Sequence, residues 1–256
     1  MTEVKTVAYI LMGSEEDVLN RGSYPFTHVV SGYTTRATKV AAGHTPEVVS
    51  AVKLNAAALL DKALSSMSAE DRSKLRVFVG YDFDPYTELE AEYHITRQLL
   101  KVFAKYDDLD LLVIQTTKAL AAIDFALMKT IPYLWLSYKI ETDDKKVVKP
   151  LDFDYRLGAV TTATETYGLN TQIVVSPCLP YTRRFANSLR SAKWSRLVIT
   201  PEGYIIKPHV HDLYIALRCT IQGRSVGWAN ECGILPRGTS LPLLIQLAFG
   251  WDIEAA

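Results

Sequence analysis

Six short apolar runs recur between residues 25 and 200 of this chain, and each is rich in β-branched or aromatic residues. Each run is too short for a buried helix, whereas strands that are buried on both faces have this near-continuous apolar pattern. The pattern therefore predicts six buried strands. They are PFTHVVS (25–31), RVFVGY (76–81), LLVIQ (111–115), YLWLS (133–137), TQIVVS (171–176) and RLVIT (196–200).

Amphipathic stretches lie between these runs and predict three helices. They are residues 55–67, 88–106 and 154–167. The second opens with Thr87 and Glu90 at the spacing of a capping box, and the third ends at Gly168, which suits a left-handed C-cap. Strands that alternate with helices form βαβ units with parallel strands and right-handed crossovers. We therefore predict an α/β fold, a partial (β/α)6 TIM-like barrel, with a doubly wound sheet as the alternative.

The two ends of the chain differ from this alternating region. The run VKTVAYILM and a short helix capped by Ser14 predict an added N-terminal strand and helix. After Pro201 the runs are short and are separated by Gly and Pro, a pattern more typical of antiparallel strands than of βα units. The predicted organisation is an N-terminal extension (1–24), a partial barrel (25–200) and a small β-rich C-terminal extension (201–256).

Composition narrows the range of functions. Lys plus Arg equals Asp plus Glu at 28 each, so no global field attracts nucleic acid or anionic membrane. The three cysteines are widely spaced and do not form a disulfide framework. No signal sequence or membrane-length apolar run is visible, so we expect a cytoplasmic protein. The chain lacks a G-x-S-x-G elbow, a Walker loop and a G-x-G-x-x-G motif.

Several short motifs, in a fixed order, together resemble one family. The segment DFDPYTELEAEYHITRQLL (82–100) follows a predicted strand, and five further motifs have the matching order. Together they cover roughly residues 25–200 and resemble the spore photoproduct lyase-like branch of the radical S-adenosylmethionine proteins. The resemblance implies a partial barrel fold and a family whose members use S-adenosylmethionine as a cofactor. The further motifs are VKLNAAALL (52–60), IQTTK (114–118) with Asp124, WLSYKIETDD (135–144), KP (149–150) with Arg156 and Leu157, and VVSPCLP (174–180).

The family's defining C-x-x-x-C-x-x-C loop has lost its cysteines here. Aligned through Gly32 and Arg36, the three cysteine positions fall on Tyr33, Ala37 and Val40. In the family these thiolates hold a [4Fe–4S] cluster, for which soft anionic ligands are suited. Alanine and valine donate nothing to iron, and one phenol cannot hold four irons. We therefore expect no cluster and no radical chemistry by the family's route, as in a pseudoenzyme.

The residues that match the family's S-adenosylmethionine contacts are still present. The resemblance implies that Thr117 and Lys118, at the end of the third strand, and Ser137, at the end of the fourth, bind S-adenosylmethionine in a crevice at the strand ends. Two departures reduce this expectation, since Lys149 replaces a glutamate and Ile123 replaces an arginine before Asp124.

Two further groups of charged residues could form a binding site, but each has a simpler interpretation. Arg36, Lys39 and Lys53 could bind an anion. The favoured interpretation is a solvated loop that remains after loss of the cluster. Asp82 and Asp84 could form half a metal site, but Asp84 before Pro85 is a turn signal. The acidic residues Glu88, Glu90 and Glu92 are interpreted as first-turn residues favoured by the helix dipole.

The remaining thiols and imidazoles are weaker candidates. His209, His211, Cys219 and Cys232 total four zinc-type ligands, but their spacing matches no established zinc pattern and lone cysteines are usually buried. Cys178, at the mouth of the predicted barrel, is best interpreted as a packing residue.

Three functions remain open at this point. The favoured hypothesis is a cluster-free protein with a non-catalytic binding or assembly role, whose partner is another protein or a second copy rather than nucleic acid. The second is an enzyme that binds S-adenosylmethionine or a nucleotide at Thr117, Lys118 and Ser137. The third, a binder of DNA lesions, rests on family analogy alone.

Overall fold

The computed structural model describes residues 9–11, 19–21, 26–37, 48–81, 83–143, 150–175, 183–199 and 225–228. The chain divides into two compact units. The first comprises Met1–Thr116 and Ile123–Leu134, and the second comprises Thr117–Ala122 and Trp135–Ala256. Within the described residues, none of the helices has the length and hydropathy needed to cross a membrane.

A mostly parallel sheet forms the centre of the first unit. Its strands are β2 (Leu19–Arg21), β3 (His28–Val30), β6 (Arg76–Val79) and β7 (Leu111–Thr116). The strands β3, β6 and β7 run parallel, with β6 in the middle, and β2 is antiparallel to β3. Three of the six predicted strands are thus confirmed in this unit, and β2 is an addition.

A second, three-stranded sheet was not predicted. The strand β5 (Val48–Lys53) lies between β1 (Tyr9–Leu11), which is parallel to it, and β4 (Tyr33–Ala37), which is antiparallel. The first strand was expected, and the helix predicted after it lies outside the described residues. The solvated-loop interpretation is wrong for residues 33–37, because these residues pair with β5 and Tyr33 is only 2% exposed.

The helix predicted over residues 88–106 is two helices. α3 (Glu90–Tyr93) and α4 (Ile95–Phe103) are separated by His94, whose φ of 53° is left-handed. The capping box also fails, since Thr87 Oγ1 is buried with no partner among the described residues and α3 has no side-chain cap. The other helices are α1 (Ala56–Ser66), close to its predicted bounds, α2 (Ala69–Arg72), a 3₁₀ helix (Ala119–Asp124) and α5 (Phe125–Met128).

The second unit contains four parallel strands, which are β8 (Leu134–Ile140, from Trp135 onward in this unit), β9 (Asn170–Val175), β10 (Arg196–Ile199) and β11 (Ser225–Trp228). The helix α6 (Pro150–Glu165) precedes β9 and α7 (Arg183–Ser191) follows it. α6 begins four residues before its predicted start, with proline at its first position, where no N–H is needed.

Gly168 caps the end of α6 as predicted. Its φ is 68°, its N–H donates to the carbonyl of Thr164 at 3.2 Å, and the next N–H, of Leu169, donates to Ala163 at 3.0 Å. The bond from Gly168 to Thr164, four residues back, together with the left-handed φ of Gly168, is the αL capping motif. The antiparallel character predicted for the tail is wrong for β11, which pairs parallel to β10. The rest of the tail lies outside the described residues.

The predicted fold class is confirmed. All six expected strands are present, those within each unit run parallel to one another, and helices alternate with them along the chain. The apolar runs are buried because both faces of these strands are covered, as for Val77, Val113, Leu136, Ile173 and Leu197.

Candidate functional site

Tyr33, which the family resemblance aligns with the first cluster cysteine, is a buried residue with a specific partner. Its hydroxyl donates a hydrogen bond to the Glu90 carboxyl, and Glu90 is 0% exposed. The same carboxyl accepts the backbone N–H of Thr96 at 2.9 Å and that of Arg97 at 3.0 Å. Glu90 thus caps the first turn of α4 from the preceding helix and joins it to β4.

The surroundings of Tyr33 keep its phenol protonated. Burial, and then the hydrogen bond to Glu90, raise the pKa of Tyr33 far above its ordinary value. The backbone before Tyr33 is closely packed, because a Cβ placed on Gly32 would lie 2.4 Å from Ile95 Cγ2 on α4. A neutral phenol that is already hydrogen-bonded to a carboxyl is a poor ligand for iron.

The three former cysteine positions do not supply a ligand set for a four-iron cluster. Ala37 ends β4 and Val40 lies outside the described residues, and neither residue type has a donor atom. Tyr33 is already bonded to Glu90. In the part of the chain that the structure describes, no three His, Cys, Asp or Glu side chains are grouped so as to hold a metal ion.

The DPY segment forms a hydrogen-bonded turn, as the simpler interpretation of Asp84 predicted. Asp84 Oδ1 accepts the N–H of Tyr86 at 2.9 Å and the hydroxyl of Thr116 at 2.7 Å. The Tyr86 hydroxyl donates to Asp124 at 3.1 Å, and Arg97 pairs with the same carboxyl at 2.5 Å. Asp124 therefore has a cationic partner on α4 although the family's preceding arginine is Ile123 here. Asp82 lies outside the described residues.

A small cavity in the second unit contains two of the predicted cofactor residues. Its volume is about 100 Å³, and Thr117, Lys118 and Ala119 line it together with three residues of α6. Those three residues are Asp152, Tyr155 and Arg156. Its volume is well below the 300–1,000 Å³ typical of a site that encloses a drug-sized ligand, so it suits one small charged group.

Arg156, which lines this cavity, forms an ion pair with Glu141 and has one unsatisfied donor. Its Nη1 lies 3.1 Å from Glu141 Oε2 and 3.3 Å from the carbonyl of Lys139. Its Nε is buried and has no hydrogen-bond partner among the described residues. A buried donor without an acceptor is costly.

Ser137 does not line this cavity. It is the fourth of seven residues of β8, not the last residue as predicted, since the strand continues to Ile140. Ser137 is 0% exposed, and its Oγ accepts a hydrogen bond from Gln172 Nε2 at 3.2 Å. The structure therefore brings Thr117 and Lys118 together with α6, and Ser137 is placed in the sheet. Binding of S-adenosylmethionine by these residues stays a prediction.

The other candidates contribute less. Lys53 is 8% exposed in β5, which does not suit a solvent-facing anion cradle, and the side chain of Arg36 is not described. The remaining candidates lie outside the described residues. They are Lys39, Lys149, Cys178, His209, His211, Cys219 and Cys232.

Sequence reasoning missed the roles of three residues of these sites. Glu90 was assigned to the helix dipole, whereas its carboxyl binds Tyr33 and two amides. Asp152 and Tyr155 line the cavity and were not singled out. A fully buried position for Glu90 could not be inferred from a segment with three alternating glutamates.

Comparison with solved structures gives a clear fold match. The chain matches a cysteine-to-serine mutant of spore photoproduct lyase with a TM-score of 0.54 and 13% identity over 80% of this chain. It matches spore photoproduct lyase complexed with dinucleoside spore photoproduct with a TM-score of 0.53 and 13% identity, again over 80% of this chain. The chain has their fold. A double mutant of the same lyase with bound AdoMet and dinucleoside spore photoproduct matches with a TM-score of 0.50 and 14% identity.

These matches show the fold alone. This chain spans 66% of the length of each of these lyase structures. No protein-family model matches the chain, and no curated protein matches it. The fold likeness agrees with the partial-barrel architecture that the sequence motifs imply.

Proposed function

We propose that this chain is a cluster-free protein of the radical S-adenosylmethionine type of fold, with a non-catalytic binding or assembly role. The observation that carries the proposal is the state of Tyr33. A former cluster position is filled by a buried phenol whose hydroxyl is bonded to Glu90, and Glu90 in turn holds the first turn of α4. A residue that connects two elements in this way serves the structure of the first unit rather than iron binding.

The cavity at Lys118 and Arg156 is the proposed ligand site. S-adenosylmethionine is the ligand we propose, because a related fold is described with bound AdoMet and because the lining matches one end of that molecule. Lys118 and Arg156 supply positive charge for a carboxylate, and Asp152 supplies an acceptor for an ammonium group. The cavity has room for this charged end only, so the nucleoside lies outside it.

Thermal unfolding with and without millimolar S-adenosylmethionine tests this site. A ligand at a hundred times its dissociation constant stabilises the native state by about 2.7 kcal/mol, which raises Tm by about 5 °C or more for a chain of this size. We expect this rise in the wild type, its loss in Lys118→Ala, and its retention in Lys129→Ala, which changes an exposed lysine elsewhere. An equal rise in both variants, or no rise in the wild type, contradicts the proposed site.

The proposed macromolecular partner is another protein or a second copy of this chain. The chain carries 28 basic and 28 acidic residues, which gives no overall attraction to phosphate backbones. The alternative proposal is that this chain binds DNA lesions. Its support is that structures of the lyase are described with dinucleoside spore photoproduct. Retention on DNA that falls steeply with salt would support that alternative over a protein partner.

An enzyme that acts on S-adenosylmethionine or a nucleotide is the second candidate. The charged lining of the cavity favours it, since Lys118, Asp152 and Arg156 together can orient a small charged ligand. Turnover of S-adenosylmethionine that is lost in Lys118→Ala would support this candidate over the binding role.

A further inference from the structure

A row of polar side chains crosses three strands of the second unit. Ser137 of β8 pairs with Gln172 of β9, and Gln172 pairs with Arg196 of β10. Directly paired residues of parallel strands present their side chains on the same face of the sheet, and Trp135, two residues before Ser137, shares that face. None of these four residues lines the cavity at Lys118.

Within the part of the chain that the structure describes, the groups that hold Arg196 in place are neutral. Its Nε donates to Gln172 Oε1 at 2.7 Å, and its Nη2 donates to the same oxygen. Its guanidinium carbon lies 4.5 Å from the centroid of the Trp135 ring, a cation–π contact. Among the residues that the structure describes, no carboxylate forms an ion pair with it.

The charge of Arg196 is therefore only partly compensated. Burial alone lowers the pKa of Arg196 to about 10, so the side chain is still charged at neutral pH. A neutral amide oxygen and an aromatic face attract a cation but do not cancel its charge, and a half-buried charge without a counter-charge is unfavourable.

Gln172 fixes the direction of the guanidinium. It is 0% exposed, its Oε1 accepts both bonds from Arg196, and its Nε2 donates to Ser137. Of the five N–H groups of arginine, the contacts to Gln172 use one on Nε and one on Nη2. Of the three N–H groups that remain, one on Nη1 and one on Nη2 lie parallel along the Nη1 and Nη2 edge, in the fork geometry that binds a carboxylate or phosphate through two oxygens.

We propose that Arg196, stacked on Trp135 and oriented by Gln172, binds an oxyanion on this face of the second unit. The oxyanion is a carboxylate or a phosphate group and makes a bidentate contact with the free edge of the guanidinium. This site goes beyond the proposed function, because it uses none of the residues of the Lys118 cavity and can fail or succeed independently of it.

Titration of the whole chain with inorganic phosphate and, separately, with acetate tests the site. Potassium chloride keeps the ionic strength constant at pH 7, and both Tm and tryptophan emission are recorded. We expect at least one of the two oxyanions to give a saturable rise in Tm with a change in emission. The two titrations identify which oxyanion is preferred. The absence of a saturable effect with both anions overturns the proposal.

Four variants localise the effect. Arg196→Lys keeps the charge but loses the fork, so we expect the affinity to fall about tenfold or more, while Arg184→Lys, at an exposed arginine paired with Asp154, leaves it within about twofold. Trp135→Phe is expected to remove most of the emission change. An effect unchanged in Arg196→Lys, or one that is lost in Lys118→Ala, places the anion elsewhere and overturns the proposal.

Gln172→Glu provides a second test if Arg196→Lys does not fold. It places a carboxylate beside the guanidinium and so supplies the counter-charge within the chain. We expect this variant to lose the response to phosphate and acetate and to have a higher Tm than the wild type without anion. A full response to the anions in Gln172→Glu contradicts the site.

Discussion

Replacing Glu90 with alanine is expected to lower the free energy of unfolding by about 3–5 kcal/mol. The change removes the acceptor of three donors at once, namely the Tyr33 hydroxyl and the N–H groups of Thr96 and Arg97. Each buried donor left without a partner costs about 1–3 kcal/mol, and the deleted side chain also leaves a cavity in a fully buried place.

Urea unfolding of the wild type and two variants measures this loss. Glu88→Ala is the matched control, since Glu88 is exposed two residues away, and it should change the stability by no more than about 0.5 kcal/mol. If Glu90→Ala were as stable as Glu88→Ala, the buried bond between Tyr33 and Glu90 would have no structural role. The main support for a cluster-free function would then be lost.

Gly80→Ala is expected to destabilise the first unit by about 3–5 kcal/mol. Gly80 follows β6 with φ of 101°, a backbone conformation that strongly favours glycine, and it turns the chain toward the DPY segment. An added Cβ would lie 2.2 Å from the backbone carbonyl oxygen of Gln115 and 3.0 Å from Pro85 Cδ. A carbonyl within a paired strand cannot move aside without disturbing β7.

The same substitution at Gly158 is the control. Gly158 lies within α6, is exposed, and an added Cβ would meet nothing within 4 Å. Alanine has the higher helix propensity, so Gly158→Ala should raise the stability by about 0.5–1 kcal/mol. Urea unfolding of both variants should therefore give changes of opposite sign. A loss below about 1 kcal/mol for Gly80→Ala would contradict the packing of Gly80 against Gln115.

The sequence predicted the repeating part of the fold well, for a physical reason. Short apolar runs and 3.6-residue periodicity reflect burial on strand and helix faces, and this burial decides where β6 to β10, α1 and α6 lie. The pattern failed where a local feature outweighed periodicity. The left-handed backbone at His94 divides one amphipathic stretch into α3 and α4, and no glycine marks that break.

The site was predicted only in part. Thr117 and Lys118 were singled out because the family resemblance matches them to cofactor contacts at the end of a strand, and such positions line crevices in α/β folds. The strand β4 was missed because its residues alternate without a strongly apolar face and the family resemblance suggested a loop. The partners of Tyr33 and Arg196 lie 57 and 24 residues away in the chain, and no local pattern indicates contacts at such separations.

Anaerobic reconstitution with iron and sulfide tests the central claim most directly. Iron and sulfide per chain are measured after removal of excess reagents, together with the visible absorption spectrum. We expect no stoichiometric iron, because the Tyr33 hydroxyl is hydrogen-bonded to Glu90 and neither Ala37 nor Val40 has a donor atom. About four irons per chain, the content of one [4Fe–4S] cluster, would contradict the account.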